Sequence, residues 1–184
     1  MGVHDNDSFD SHGWLSGIRR VYSPNFDARP AETAVSLLVI HNISLPPGVF
    51  TGDAIIDLFT NRLDGAAHPY FETIKDLRVS AHFLVRRDGE AIQFVACDDR
   101  AWHAGQSQWH GRSACNDYSI GIELEGTDEV PFADAQYRTL GELTRAIRRR
   151  YPIADIVGHS DIAPGRKTDP GPYFEWERFR ASLS

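Results

Sequence analysis

Cysteine is scarce in this chain: Cys97 and Cys115 are the only two in 184 residues. Neither belongs to a Cys-x-x-Cys pair, which argues against a thiolate zinc site. Two cysteines also do not build the disulfide framework of a small secreted domain. Both are expected as reduced thiols. No stretch approaches the roughly 18 consecutive apolar residues that span a bilayer, so no membrane partner is expected. The first residues, Met1-Gly2-Val3-His4-Asp5-Asn6-Asp7, are polar and acidic and hold no apolar core of an export signal. This predicts a cytoplasmic protein. Positive charge is in deficit, with a net charge of −7. No Lys/Arg stripe with interleaved aromatics occurs, which argues against nucleic acid as a partner. The short run Arg148-Arg149-Arg150 falls at a predicted helix end, where it complements the helix dipole. Internal repeats and low-complexity tracts are also absent.

The length predicts one domain with a sizeable core. A flexible leader is expected over residues 1–13, with the domain occupying 14–184. His4 and His12 fall in that leader and are expected to be inert. Trp14, Ile18, Val21 and Tyr22 can pack as an arm on the domain. Residues 36–40 are almost continuously apolar, as in a central strand buried on both faces. Ile55, Ile56, Leu58, Phe59 and Leu63 recur near helical spacing, whereas Gly65, His68 and Pro69 mark residues 64–73 as a loop. Residues 80–86 and 91–95 flank Asp88-Gly89, a hairpin signal. Residues 98–117 form a long irregular stretch of the kind that often carries function. Along 119–125, Ile120, Ile122 and Leu124 point one way, and Gly121, Glu123 and Glu125 the other. Tyr137, Leu140, Thr144, Ile147 and Tyr151 predict a helix over 135–151, capped by Asp134 and stopped by Pro152. A short strand over 155–158 and a closing helix over 174–183 complete the chain. The fold class is α/β: a single domain with a central mixed β-sheet flanked by helices.

The stretch from Gly158 to Pro172 carries the most chemistry. His159, Lys167 and Asp169 sit there on a backbone too rich in Pro and Gly for a helix, and such a loop is cheap to hold still. His41 ends the apolar strand that begins at residue 36, and His159 likewise follows the short strand at 155–158. A catalytic zinc site needs neutral imidazoles or carboxylates and keeps one position open. His41, His159 and one carboxylate supply three ligands. Asp161 is two residues from His159, which is tight for both to reach one ion, while Asp169 follows a constrained turn that can fold back. Spacing leaves that choice open. Hydrolysis also needs a base for water and a cation or donor for the oxyanion. Glu123 and Glu125 share a strand face and either can be the base; Lys167 can be the cation. His82 reads as structural. Trp102-His103-Ala104-Gly105 offers an aromatic and an imidazole suited to a sugar or peptide groove. Arg78 can pair with a ligand carboxylate.

Five segments taken together carry a resemblance: Ile40-His41-Asn42-Ile43-Ser44-Leu45-Pro46-Pro47-Gly48, Val79-Ser80-Ala81-His82, Arg100-Ala101-Trp102-His103-Ala104-Gly105, Ser119-Ile120-Gly121-Ile122-Glu123-Leu124-Glu125-Gly126 and Arg166-Lys167-Thr168-Asp169-Pro170-Gly171-Pro172. From about Trp14 to the C-terminus the chain resembles the 1,6-anhydro-N-acetylmuramyl-L-alanine amidases. These are relatives of the phage-lysozyme-type zinc amidases and the peptidoglycan recognition proteins. The resemblance implies Zn2+ held by His41, His159 and Asp169, which decides against Asp161. It implies Glu123 as acid/base, Lys167 as oxyanion stabiliser, and Asn42, Arg78, Trp102 and His103 as substrate contacts. The implied reaction is hydrolysis of the amide between the lactyl group of an anhydromuramyl sugar and the L-Ala of its stem peptide. The implied partner is a soluble muropeptide met during cytoplasmic recycling, with the enzyme acting as a monomer. Gly165 departs from an acidic residue common in the family, and Ser160 from a small thiol. A non-catalytic muropeptide-binding module is the alternative. In that scaffold a missing metal ligand marks loss of activity, and all three candidates are present here.

Overall fold

The computed structural model describes Val3 and residues 7–183. A six-stranded sheet forms its centre. In spatial order the strands are Arg19–Arg20, Ala91–Gln93, Phe83–Val85, Ser119–Glu125, Leu37–Ile43 and Asp155–Gly158. Phe83–Val85 and Ala91–Gln93 run antiparallel, joined by the turn in which Gly89 has φ +89°, and the other neighbours are parallel. The sheet is therefore mixed, as expected.

The apolar run at Leu37–Ile43 is hydrogen-bonded on both edges and covered on both faces. Its two periodic sets sort into different layers. Leu38 and Ile40 join Ile120, Ile122 and Leu124 in the larger core, where Leu140, Leu143 and Ile147 of helix Asp134–Arg150 cover them. Leu37 and Val39 face a separate cluster with Ala104, Cys115 and Tyr118 from the irregular 98–117 stretch. Each fully buried aliphatic side chain contributes about 1.5–3 kcal/mol, so a shift of register by one residue would exchange both layers at large cost. This pins the direction in which the next residue, His41, points.

Several local expectations change. Residues 64–73 contain a short 3-10 turn, Gly65–Ala67, and a helix, Pro69–Ile74. Pro69 stands at the helix start, where its missing N–H costs nothing, and His68 Nδ1 accepts the Tyr70 N–H at 3.1 Å. Asp134 lies inside its helix rather than capping it. Gln136 Oε1 reaches back to the Ala133 N–H at 3.0 Å, while Asp134 accepts from Arg178 at 2.6 Å. Residues 7–13, expected as part of a flexible leader, pack on the domain. Phe9 bridges to Leu15 and meets the Tyr151 ring edge-on at 5.8 Å, and Cys97 donates to the Gly13 carbonyl. His4 lies outside the described residues. The arm after Trp14 buries Ile18 and adds Arg19–Arg20 as an edge strand, while Tyr22 remains exposed. Cys97 and Cys115 are buried free thiols. Among the described residues no helix is long and apolar enough to cross a membrane.

Candidate metal centre

Strand register assembles the site. Val157 pairs with Val39 and Gly158 with Ile40, so His159 emerges beside His41 at the carboxyl ends of two parallel strands. On the other side His41 pairs with Glu123. Crevices in α/β sheets open at the carboxyl ends of strands. Beyond His159 the chain makes one helical turn, His159–Ile162. Asp161 starts that turn, its Oδ2 accepting the Gly158 N–H at 2.7 Å. The loop then reverses through Gly165, at φ +77°, a conformation that favours glycine. Ser160 N–H donates to the Asp169 carbonyl at 3.0 Å and fastens the returning strand of the loop. Asp169 thereby reaches the histidine pair, whereas Asp161 is committed to the backbone.

Three potential ligand atoms converge. His41 Nδ1 lies 3.0 Å from His159 Nδ1, and each lies 3.1 Å from Asp169 Oδ2. Ligand atoms about 2.0–2.1 Å from a tetrahedral zinc stand roughly 3.3 Å apart, so the triangle is of the right size and donor type. His159 Nε2–H donates to the Ala104 carbonyl at 3.1 Å, which leaves its Nδ1 lone pair turned inward. Burial lowers the His41 pKa to about 4, against the opposing pull of Asp169. Burial by itself would raise Asp169, but the His159 and His41 imidazoles 3.1 Å away outweigh it and hold the carboxyl below its usual range. A neutral His41 imidazole beside an ionised Asp169 carboxylate suits a zinc site, whose ligands bind deprotonated.

His159 and Asp169 of the triad line a cavity of ≈ 580 Å³, with His41 buried behind them. Leu45, Leu58, Phe59 and Tyr70 make an apolar wall, and Asn42, Trp102, Glu123 and Lys167 supply polar groups. Glu123 is 9 % exposed and its Oε2 has no hydrogen-bond partner. Burial, then the nearby Asp169, push its carboxyl well above the usual range, and Lys167 opposes them. Glu125, the other candidate base, is committed elsewhere: its Oε2 accepts the Arg87 N–H at 3.0 Å. Lys167 is exposed on the cavity rim.

The expected substrate contacts divide. Trp102 lines the cavity with its Nε1–H held by Asp27 Oδ1 at 3.1 Å. Asn42 also lines it, but its amide is spent on Asp128 Oδ1 and the Pro170 carbonyl. Arg78 is exposed beside an adjoining depression shared with Trp102, and its guanidinium rests on the Lys75 and Leu77 carbonyls. His103 also lines the cavity, although most of its surface is covered. It is buried against His41, and its two ring nitrogens meet His41 Nε2 and Ser119 Oγ. His82 is buried, accepts the Gly121 N–H and does not reach the triad.

Sequence reading missed the supporting groups. The Ala104 carbonyl orients His159, and Arg166 donates to the same carbonyl at 2.7 Å. A backbone acceptor leaves no trace in residue types. Gly121 did leave one: a glycine inside a buried strand marks close approach of another group, and a Cβ there would stand 2.5 Å from the His103 ring.

The chain is similar to known proteins over most of its length. Residues 31–172 match the N-acetylmuramoyl-L-alanine amidase family. The 1,6-anhydro-N-acetylmuramyl-L-alanine amidase AmpD of Escherichia coli (strain K12) is 59% identical over 174 residues, spanning 94% of this chain and 95% of that protein. A crystal structure of a Se-Met AmpD derivative superposes with a TM-score of 0.93 at 58% identity, covering 96% of this chain and 99% of that one. The E. coli amidase AmiD, solved with anhydro-N-acetylmuramic acid-L-Ala-D-gamma-Glu-L-Lys, gives a TM-score of 0.59 at 31% identity over 97% of this chain and 66% of its own. With the family match spanning five of the six sheet strands, the cavity and all three candidate ligands, this chain belongs to the N-acetylmuramoyl-L-alanine amidase family.

Proposed function

We propose that this protein is a zinc-dependent amidase that hydrolyses the bond between the lactyl group of (1,6-anhydro)-N-acetylmuramic acid and the L-Ala of its stem peptide. The observation that carries the reading is the His41–His159–Asp169 triangle opening on the same cavity as the unpartnered Glu123. The high identity to relatives named for this activity supports the substrate. When bound, zinc polarises the scissile carbonyl and lowers the pKa of the attacking water to about 7.

The chain's own groups do the remaining work. Glu123, buried with no competing partner, accepts the proton of the attacking water. It then returns that proton to the departing amine of L-Ala. Burial, which raises its pKa, favours the protonated form that Glu123 must hold between the two steps. The Lys167 ammonium offsets the negative charge that develops on the carbonyl oxygen. Water adds to the lactyl carbonyl carbon, the C–N bond breaks, and a lactyl carboxylate and a free peptide amine leave. Trp102 and the apolar wall flank the sugar and peptide. The physiological substrate in this reading is a soluble anhydromuramyl-tripeptide or tetrapeptide, met in the cytoplasm by a monomeric enzyme.

Mass spectrometry of anhydromuramyl-tripeptide incubated with the protein tests this. Free tripeptide and intact anhydromuramic acid are expected. Chelation should abolish release and added Zn2+ restore it. Full activity in metal-free protein, or cleavage at another bond, overturns the mechanism. Binding without cleavage by the zinc-loaded protein would identify a recognition module instead.

A further inference from the structure

Imidazoles continue behind the metal ligands. His41, His103 and His82 form a buried column with ring centroids 5.0 and 5.8 Å apart. His41 Nε2 lies 2.9 Å from His103 Nδ1, and His103 Nε2 lies 3.1 Å from the Ser119 hydroxyl. Ser119 is 0% exposed and His41 1%. Gly121 makes the room, since a Cβ there would stand 2.5 Å from the His103 ring. His82 closes the column. Its Nδ1 accepts the Gly121 N–H and its Nε2–H faces the Asp99 carbonyl at 3.1 Å.

A neutral imidazole carries one N–H, and a ligand nitrogen must be the one without it. For His159 the Ala104 carbonyl makes that choice. Nε2 of His41 meets no carbonyl or carboxylate; its partner is another imidazole. We propose that His103 is a positioning residue, which, anchored by Ser119, selects the His41 tautomer that turns a bare Nδ1 toward the metal. In this arrangement the Ser119 hydroxyl, which can donate or accept, takes the His103 Nε2–H. His103 Nδ1 is then an acceptor and takes the His41 Nε2–H. This leaves His41 Nδ1 as a lone pair beside His159 Nδ1 and Asp169 Oδ2. The inference rests on the zinc reading above and adds to it a residue that acts on the metal through His41.

The test compares the full chain with His103→Leu, His103→Asn and Ser119→Ala. Zinc dissociation constants are measured by competition with a chromophoric chelator. Visible spectra of the Co2+-substituted proteins report ligand geometry, and circular dichroism reports folding. Loss of a group supporting a metal ligand typically costs roughly 10–100-fold in metal affinity, and His103→Leu should fall in that range with an altered cobalt spectrum. His103→Asn, whose Oδ1 can stand where Nδ1 stands, should recover most of the affinity. Ser119→Ala should weaken binding in the same direction by a smaller factor. A folded His103→Leu protein with unchanged zinc affinity and cobalt spectrum overturns the proposal, as does His103→Asn binding no better than His103→Leu. Should His103→Leu fail to fold, an unchanged affinity and spectrum in Ser119→Ala overturns it equally. A wild-type chain that takes up no zinc overturns the zinc reading itself, and this proposal with it.

Discussion

Asp161 and Asp169 are the same chemical ligand on one loop, and their hydrogen-bond partners separate them. Asp161 Oδ2 takes the Gly158 N–H at 2.7 Å, and Asp169 Oδ2 lies 3.1 Å from two imidazoles. Asp161→Ala should therefore keep its zinc and lose only a helix-start contact, worth about 1 kcal/mol in urea unfolding. Asp169→Ala should lose the metal, as measured by elemental analysis of the dialysed protein. The reverse pattern would overturn the ligand assignment. Glu123 and Glu125 separate the same way, because Glu125 accepts a backbone N–H and Glu123 Oε2 accepts nothing. Glu123→Gln should retain zinc and lower kcat by roughly 10²–10⁴-fold, the usual range for a lost general acid–base. Loss of bound zinc in that variant would show a structural role instead.

The irregular 98–117 stretch contributes to two small ribbons, one of which leads into Trp102 on the cavity wall. In one, Phe26–Ala28 pairs with Asp99–Ala101. Both Asp27 carboxylate oxygens accept from Arg100 at 2.6 Å, and Oδ1 also accepts the Trp102 indole N–H. Asp27→Ala should free the Trp102 ring without touching the metal. The pair is half exposed, so about 1 kcal/mol is at stake, equivalent to a rise of roughly fivefold in KM. Steady-state kinetics should show KM rising with kcat nearly unchanged; an equal fall in kcat would show that Trp102 acts on the reacting bond. Local signals read the hairpin and the long helix because periodicity and turn chemistry act within a few residues. They misread Pro69–Ile74, since Pro and His there open a helix and do not merely interrupt one. The Asp27–Trp102 contact was illegible because its partners are far apart in the chain and close only after the ribbon pairs.

Across the whole molecule, buried neutral histidines couple stability to pH. Burial, with the Arg29 guanidinium beside it, lowers His82 to about 3. In the unfolded chain this residue titrates near 6.5. Below that pH the unfolded state binds a proton that the native state refuses, so stability falls as pH drops. The loss attributable to His82 should reach about 2 kcal/mol by pH 5. Urea unfolding at pH 7.5 and pH 5, compared between wild type and His82→Asn, checks this. The wild type should lose more stability than the variant, and equal losses would show that His82 titrates alike in both states.

Composition by itself argued against a disulfide framework, a membrane helix and a nucleic-acid groove. Periodicity gave the mixed α/β sheet, and the motifs gave the candidate ligands with Glu123 and Lys167. These are properties of local sequence, where residue type and spacing carry the physics. Tertiary structure alone decided which groups meet. Parallel pairing in register set His41 between His159 and Glu123, and burial kept its imidazole neutral. The same packing set the two ring nitrogens of His103 against His41 and Ser119, where Gly121 leaves space for its ring. Such contacts depend on strand register and on one missing Cβ, and neither can act until the distant segments have come together.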